Sequence, residues 1–396
     1  MKKLLLYAAL LLTTSQSYAS LKTDSVKQKY PVLVNIPGYV TLKCDFHLHT
    51  VFSDAHVWPT FRVREADRDG LDAISLTEHF DFEGFPEDLK RNGNRSYDIA
   101  TEFAKNTNVL IIKGLEISPR VSPYHHNALF VQDPNKLKYD YMKTIHKQFV
   151  MKDNIERSTL MSPFLEVAKQ GAFVFYNHPG YAWWDKKNRE LFTEFHKELL
   201  DKKILGGVEV VNSGRYNVIG HEIAMKYNLT MMANSDEHFD ISNSYKNIHR
   251  PMTLVLAKEK SVESIKEALL ARRTIVFYNN TFIGRKSELE PFFKSAVTVS
   301  SEYKDRNEEK IVVVTLQNNT DVPYKLKLSS SKYMIEEYPM GRVTLNAKEQ
   351  LKIIVKAVWD MPSELTVDCK VENIFTGVQE ELSTSLALKP SPIKTN

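Results

Sequence analysis

Between Val40 and about Asn280, short apolar runs alternate with stretches of helical periodicity, the arrangement of a parallel sheet wrapped by helices. Strands are predicted at 40–49, 71–77, 109–117, 126–131, 172–177, 207–211 and 229–233. Amphipathic helices are predicted at 59–69, 157–170, 187–200 and 261–272. The strands end in polar, ionisable residues, which favours a closed barrel over an open doubly wound sheet, because a barrel gathers its strand ends on one rim. From about Pro291 the pattern changes to alternation with period two, as in KIVVVTLQN, YKLKLS and RVTLNAKEQLKIIVKAV, separated by turns such as Asn318-Asn319-Thr320-Asp321. Period two over short runs predicts a small antiparallel β-sandwich. The fold class expected is therefore α/β, a barrel over 20–282 followed by a sandwich over 291–388, with 279–291 as linker.

The first residues have a separate pattern: Lys2-Lys3, an apolar run from Leu4 to Leu12, and the small-x-small ending Ser17-Tyr18-Ala19. This predicts a secretory signal peptide over 1–19, and so a periplasmic or secreted protein. The apolar run is far short of the roughly 20 residues that span a bilayer. No Cys follows the cleavage point to carry a lipid, and no later stretch predicts a transmembrane segment. The 396 residues, 42% hydrophobic and 26% charged, suffice for a sizeable core, and a net charge of +4 without clustering argues against nucleic acid as a specific partner. Cys44 and Cys369 are expected to be two buried thiols, a single bridge being the alternative, and neither has metal-ligand spacing.

Candidate chemistry begins with Asp45-Phe46-His47-Leu48-His49-Thr50 and the following Ser53-Asp54. Residues two apart in a strand point to one side, so His47 and His49 present two imidazoles together. Such a pair is either a metal site or two satisfied polar residues. Similar residues recur at other strand ends: Thr77-Glu78-His79, Glu116, His125-His126, Asn177-His178-Pro179 and Ser235-Asp236-Glu237-His238. On a barrel rim these become neighbours, which predicts a multinuclear His and carboxylate metal site. Arg120 and Arg215 follow two of the strands and are candidates for holding a phosphate, or else surface ion pairs. Glu78 is a candidate acceptor for an imidazole N–H, and His56 a rim residue. Tyr181, Trp183 and Trp184 would wall the pocket or simply pack, while His146, His196, His221 and His249 are expected at the surface. A Gly-rich phosphate loop, a Gly-x-Ser-x-Gly elbow and a dinucleotide fingerprint are all missing, so nucleophilic Ser or Cys catalysis has no support.

These residues resemble the motifs of the PHP (polymerase and histidinol phosphatase) superfamily: HLHTxxSD, TEH, GLE, an interior His, NHP and SDxH. DFHLHTVFSD with VWPTFRVREADRDGLDAISLTEH is similar to secreted phosphodiesterases of Bacteroidetes-type bacteria that carry an all-β C-terminal domain, a resemblance covering nearly the whole mature chain. The resemblance implies a distorted (β/α)7 barrel holding two or three divalent metals, manganese, zinc or iron. By the same resemblance, His47, His49, Glu116 and Asp236 hold one metal; Glu116, His125 and His178 the second; Asp54, His79 and His238 the third. The family pattern His-x-Asn-Ala favours His125 over His126, which would face the other way. His47, His49, Glu116, Asp236 and His238 would serve catalysis, the hydrolysis of phosphodiesters by a metal-activated water. Alternatives are a phosphomonoesterase, an amide or lactone hydrolase on the same site, and a non-catalytic surface protein with a metal-stabilised barrel. The partner implied is a small phosphoester substrate.

Overall fold

The computed structural model describes residues 31–392 apart from 91, 139, 146, 147, 153, 181–189, 308, 337 and 358–362. The stretch 1–19 predicted as a leader, His146, Tyr181, Trp183 and Trp184 lie outside the described residues.

The barrel is a ring of short strands, most of them buried on both faces and therefore nearly continuous in apolar residues. Val40–Leu48 pairs in parallel with Ala73–Leu76, and that strand with Leu110–Ile117. His126–Leu129 comes next, followed by Phe173–Tyr176, Leu205–Asn212 and Thr230–Asn234. The ring returns to its first strand through the Leu48–Glu237 bridge, with Asp236 N–H donating to His47 O at 2.9 Å and His49 N–H to Glu237 O at 3.2 Å.

The ring departs from the expected parallel barrel in two ways. His126–Leu129 runs antiparallel to both Leu110–Ile117 and Phe173–Tyr176. Its beginning therefore lies on the rim where the parallel strands end, and His125 arrives there from the opposite direction. The second departure is at the seam. The first half of Val40–Leu48 pairs with a strand absent from the sequence reading, Met252–Ala257, in the register Val40 to Ala257 and Cys44 to Thr253. Only its last residues meet the loop after Thr230–Asn234. Thr253 fills the wedge between, its Oγ1 accepting from Ala233 N and donating to Ala233 O, both at 2.9 Å.

The sheet continues outwards through Thr274–Tyr278 and Thr281–Ile283 and then into the C-terminal unit, where Phe282 and Ile283 register in parallel with Ile374 and Phe375. The stretch expected to be a linker is thus structured: it holds the strand Thr281–Ile283 and the start of the helix Lys286–Ala296, which carries Pro291 inside it. Leu289, Phe292 and Phe293 of that helix are buried in the same core as Phe277 and Phe282 on one side and Tyr324, Val371 and Leu382 on the other. The C-terminal unit is a sandwich. One sheet joins Val297–Arg306, Glu309–Asn318, Gln350–Ala357 and Tyr333–Glu336; the facing strands are Glu380–Leu388, Leu365–Gly377, Tyr324–Ser329 and Arg342–Leu345. Cys44 and Cys369 are both buried and unpaired. No helix among the described residues is long and apolar enough to cross a membrane.

Candidate metal centre

The strand period of two does what the sequence suggests at the first motif. His47 and His49 project into the ring together, with their Nε2 atoms 3.1 Å apart. Each also faces Asp236 Oδ1, at 3.1 and 3.3 Å, and Glu116 Oε2, at 3.6 and 3.3 Å. Glu116 turns its other oxygen, Oε1, towards His125 Nδ1 at 3.0 Å and His178 Nε2 at 3.9 Å. Asp54 meets His79 Nε2 at 3.4 Å and His238 Nε2 at 3.2 Å, with His49 beside them. The ligand atoms therefore fall into three groups that share Glu116 and His49: His47, His49 and Glu116; Glu116, His125 and His178; His49, Asp54, His79 and His238. Asp236 stands at the junction, 3.8 Å from His178 Nε2.

The electrostatics of these groups call for positive charge. Burial should protonate Glu116, yet His79, His125 and His47 hold its carboxyl well below the usual range. Burial acts the same way on Asp54 and Asp236, and imidazoles again win: His79 and His238 for Asp54, His47 and His49 for Asp236. Conversely, burial would lower His79, but Glu116 and Asp54 push it up to about 10. His49, with burial and its neighbour His238 both acting against charge, is held down at about 4. Two buried acceptors, Glu116 Oε2 and Asp54 Oδ1, have no hydrogen-bond partner. Buried carboxylate oxygens with no donor, facing imidazole nitrogens across about 3 to 4 Å, fit divalent cations held by nitrogen and oxygen ligands. The donor set contains no thiolate.

Supporting groups aim the ligands. The Nδ1 of His238 lies 2.9 Å from Asp236 O, which places its proton there and turns Nε2 towards Asp54. Ser118 Oγ donates to Asp81 Oδ1 at 2.5 Å and so accepts from His79 Nδ1 at 2.7 Å, and the buried Tyr141 hydroxyl donates to Asp81 Oδ2 at 2.6 Å. Asn177 donates to Glu116 Oε1 at 2.8 Å. Glu78, expected to accept from an imidazole, instead accepts from Thr50 N, Thr50 Oγ1 and Ser53 Oγ, so it fastens the turn after His49 and reaches that ring only through Ser53. Arg62 is wholly buried and donates to the carbonyls of His49, Glu237 and Phe239. His178 and Asp236 have positive φ of 28° and 52°, a region few non-glycine residues occupy and one that recurs at functional sites.

The groups open into a cavity of about 290 Å³ lined by Asp54, His79, Glu116, His125, His178, Asp236 and His238, together with Asp81, Phe82, Ser118, Arg120, Met142, Asn212 and Ser213. Arg120 is on this rim; Arg215, in the short strand Arg215–Tyr216, is not among the lining residues. His126 lies on the far side of its strand, stacked on Tyr176 and 5.4 Å from His196. His56 is exposed and stacks on Phe239. His196, His221 and His249 are buried rather than superficial, because each serves a local bond: His196 accepts from Thr193 N at a helix start, His221 meets the Tyr216 hydroxyl, and His249 lies against Arg250 O. Sequence reasoning missed Arg62, Asp81, Ser118 and Glu209; of these only Glu209 left a signal, a lone carboxylate in the apolar run GGVEVVN.

A ring of strands whose ends converge on three His and carboxylate groups is the architecture of a metal-centred α/β protein, and the similarities agree with it. The PHP domain description matches residues 45–167 and that of an Ig-like domain residues 297–387. A solved two-domain protein of Bacteroides vulgatus, described as containing a predicted PHP-like metal-dependent phosphoesterase, is 35% identical with a TM-score of 0.79, over 91% of this chain and 99% of that one. The chain belongs to the PHP family. It is also 34% identical over 79 residues to an uncharacterized protein of Methanocaldococcus jannaschii, a stretch that is 19% of this chain and 34% of that protein, so it spans about a third of the length of the curated relative it matches.

Proposed function

We propose that this chain is a metal-dependent phosphoesterase acting on phosphodiesters, with His47, His49, Glu116 and Asp236 around one divalent cation, Glu116, His125 and His178 around a second, and Asp54, His79 and His238 around a third. The observation that carries the reading is the convergence of these nine donors, drawn from nearly two hundred residues of chain, with seven of them lining one open cavity and His47 and His49 buried behind it. Cations bound there would supply an ionised water at neutral pH and neutralise the non-bridging phosphoryl oxygens. Imidazole and carboxylate donors without thiolate suit manganese, zinc or iron.

The chain's own residues set the rest. Glu116, with one oxygen towards each of two donor groups, keeps those groups within a phosphoryl width of each other. Arg120 is the only Lys or Arg among the described residues lining the cavity, and from the rim it is suited to fork onto one phosphate oxygen. A monoester dianion is usually met by more such cations, whereas a diester carries one charge and needs room for two substituents, which supports the diester. Phe82 and Met142 provide apolar wall for one of them. The pattern Lys2 to Ala19 supports export to the periplasm or beyond.

The test is elemental analysis of the purified protein followed by hydrolysis of bis(p-nitrophenyl) phosphate against p-nitrophenyl phosphate. The diester should be preferred, and Asp236→Ala should lower its hydrolysis at least about 100-fold, since even outer-shell partners of metal sites are worth 10 to 100-fold. A large preference for the monoester would overturn the substrate, and unchanged hydrolysis by Asp236→Ala would overturn the site.

A further inference from the structure

Glu209 stands in the middle of the strand Leu205–Asn212, between Val208 and Val210, with none of its surface exposed. An ionised carboxylate is acceptor-only, with about four lone-pair positions, and here all four are used. Oε1 meets His47 Nδ1 at 2.8 Å and accepts from Asn234 Nδ2 at 2.9 Å. Oε2 accepts from the backbone N–H of His178 at 2.9 Å and from Asn212 Nδ2 at 2.8 Å. None of these partners is a lysine or arginine, so the carboxylate is not there to complete a salt bridge with a fixed cation.

Two of the four bonds reach candidate ligands of different donor groups. The bond to His47 places the ring proton on Nδ1 and leaves the Nε2 lone pair bare, facing His49 Nε2 and Asp236 Oδ1, each 3.1 Å away. The bond to His178 pins the amide of a residue held at φ 28°, and with it the direction in which that imidazole leaves the backbone towards Glu116 and Asp236. Resting on the metal-centre reading above, we propose that Glu209 is a positioning residue that prepares two cation sites at once, fixing the tautomer of His47 in one and the backbone of His178 in the other. The third group, Asp54, His79 and His238, takes its orientation from Ser118, Asp81 and the Asp236 carbonyl instead, and so stands outside the reach of Glu209.

Glutamine is the informative replacement. It has the same shape but only one acceptor oxygen, so its NH2 must point at a donor on one side: His47 Nδ1–H and Asn234, or His178 N–H and Asn212. Titration of the metal-free chain with Mn²⁺, read by metal stoichiometry and affinity, tests the assignment without any turnover. Glu209→Gln should weaken the Mn²⁺ site on the side its NH2 takes, that of His47 or that of His178, by about 10 to 100-fold while the Asp54, His79 and His238 site keeps its wild-type affinity. Glu209→Asp retains the charge but is one methylene too short to reach all four donors, so it should weaken both of those sites and again spare the third, and it serves alone should the Gln variant not fold. Wild-type Mn²⁺ affinities in the variant, or equal weakening of every site, would overturn the positioning role while leaving the phosphoesterase reading intact. A wild-type chain that takes up no cation would overturn both.

Discussion

Replacing Arg62 with methionine isolates what a single buried guanidinium contributes to the rim. In the native chain Nε donates to His49 O at 2.9 Å, Nη1 to Phe239 O and Glu65 Oε2 at 2.7 Å each, and Nη2 to Glu237 O at 2.7 Å. Met keeps much of the volume and removes every donor. Breaking a buried ion pair from one side costs about 3–5 kcal/mol, because the other charge is left without compensation. Glu65 is the charge left behind. Burial already raises its pKa against the pull of Arg62, so without Arg62 it takes up a proton and relieves part of that cost. Three carbonyls lose a charged donor, each worth about 1–3 kcal/mol when left unsatisfied, although loop carbonyls regain some of this from water. The expected destabilisation is about 5 kcal/mol, measured as the change in unfolding free energy from the urea dependence of tryptophan fluorescence. The double variant Arg62→Met with Glu65→Gln discriminates further, since Gln still offers an acceptor to Ile241 N, bonded to Glu65 at 2.7 Å, but carries no charge to strand. It should be more stable than Arg62→Met alone. A loss under about 1 kcal/mol for the single variant, or a double variant whose cost is the sum of the two singles, would refute the claim that this guanidinium holds the rim together.

Stability should also depend on pH through two histidines outside the candidate donor groups. His196 accepts from Thr193 N through Nδ1, and His249 uses Nδ1 towards Arg250 O while Nε2 accepts from Asn280 N; burial holds both at about 4 against an ordinary 6.5. Their folded-state pKa values lie below the unfolded ones, so the stabilisation is complete above pH 6.5 and is lost as pH falls from 6.5 towards 4, by up to about 3 kcal/mol each; urea midpoints that stay flat from pH 7.5 to 4.5 would contradict this. On the rim, Arg120→Ala should raise KM for a diester several-fold with little change in folding stability, whereas Arg215→Ala should leave KM unchanged because Arg215 does not line the cavity. Steady-state kinetics on the two variants checks the contrast.

The clustering of the candidate donors was legible because it depends on two local regularities: alternate residues share a strand face, and strand ends meet at a rim. Those two bring His47 beside His49 and set His79, Glu116, His178 and Asp236 at successive ends; their role as ligands and their sorting into three groups came from the family resemblance. Strand direction has no such signature. NALFV is apolar whichever way it runs, and only pairing shows that His126–Leu129 is antiparallel and that His125 reaches the rim by starting its strand there rather than ending it. Met252–Ala257 and Thr274–Tyr278 escaped notice because they lie outside the ring and end in no histidine motif. The span 279–291 reads as a linker, yet the helix Lys286–Ala296 forms through Pro291 because burial of Leu289, Phe292 and Phe293 outweighs the lost bond. Arg62 could not be found, since an arginine in an amphipathic helix is ordinarily solvated and nothing local indicates that three carbonyls await it.

The hand-over of one sheet from Thr281–Ile283 to Leu365–Gly377 has a mechanical meaning. A tether would let the carboxy-terminal module roam and would let evolution or an engineer exchange it at will. Backbone pairing instead gives it a set bearing relative to the mouth of the candidate metal centre, as a handle is fixed to a blade. Any surface bound by that module would meet the mouth from one fixed angle.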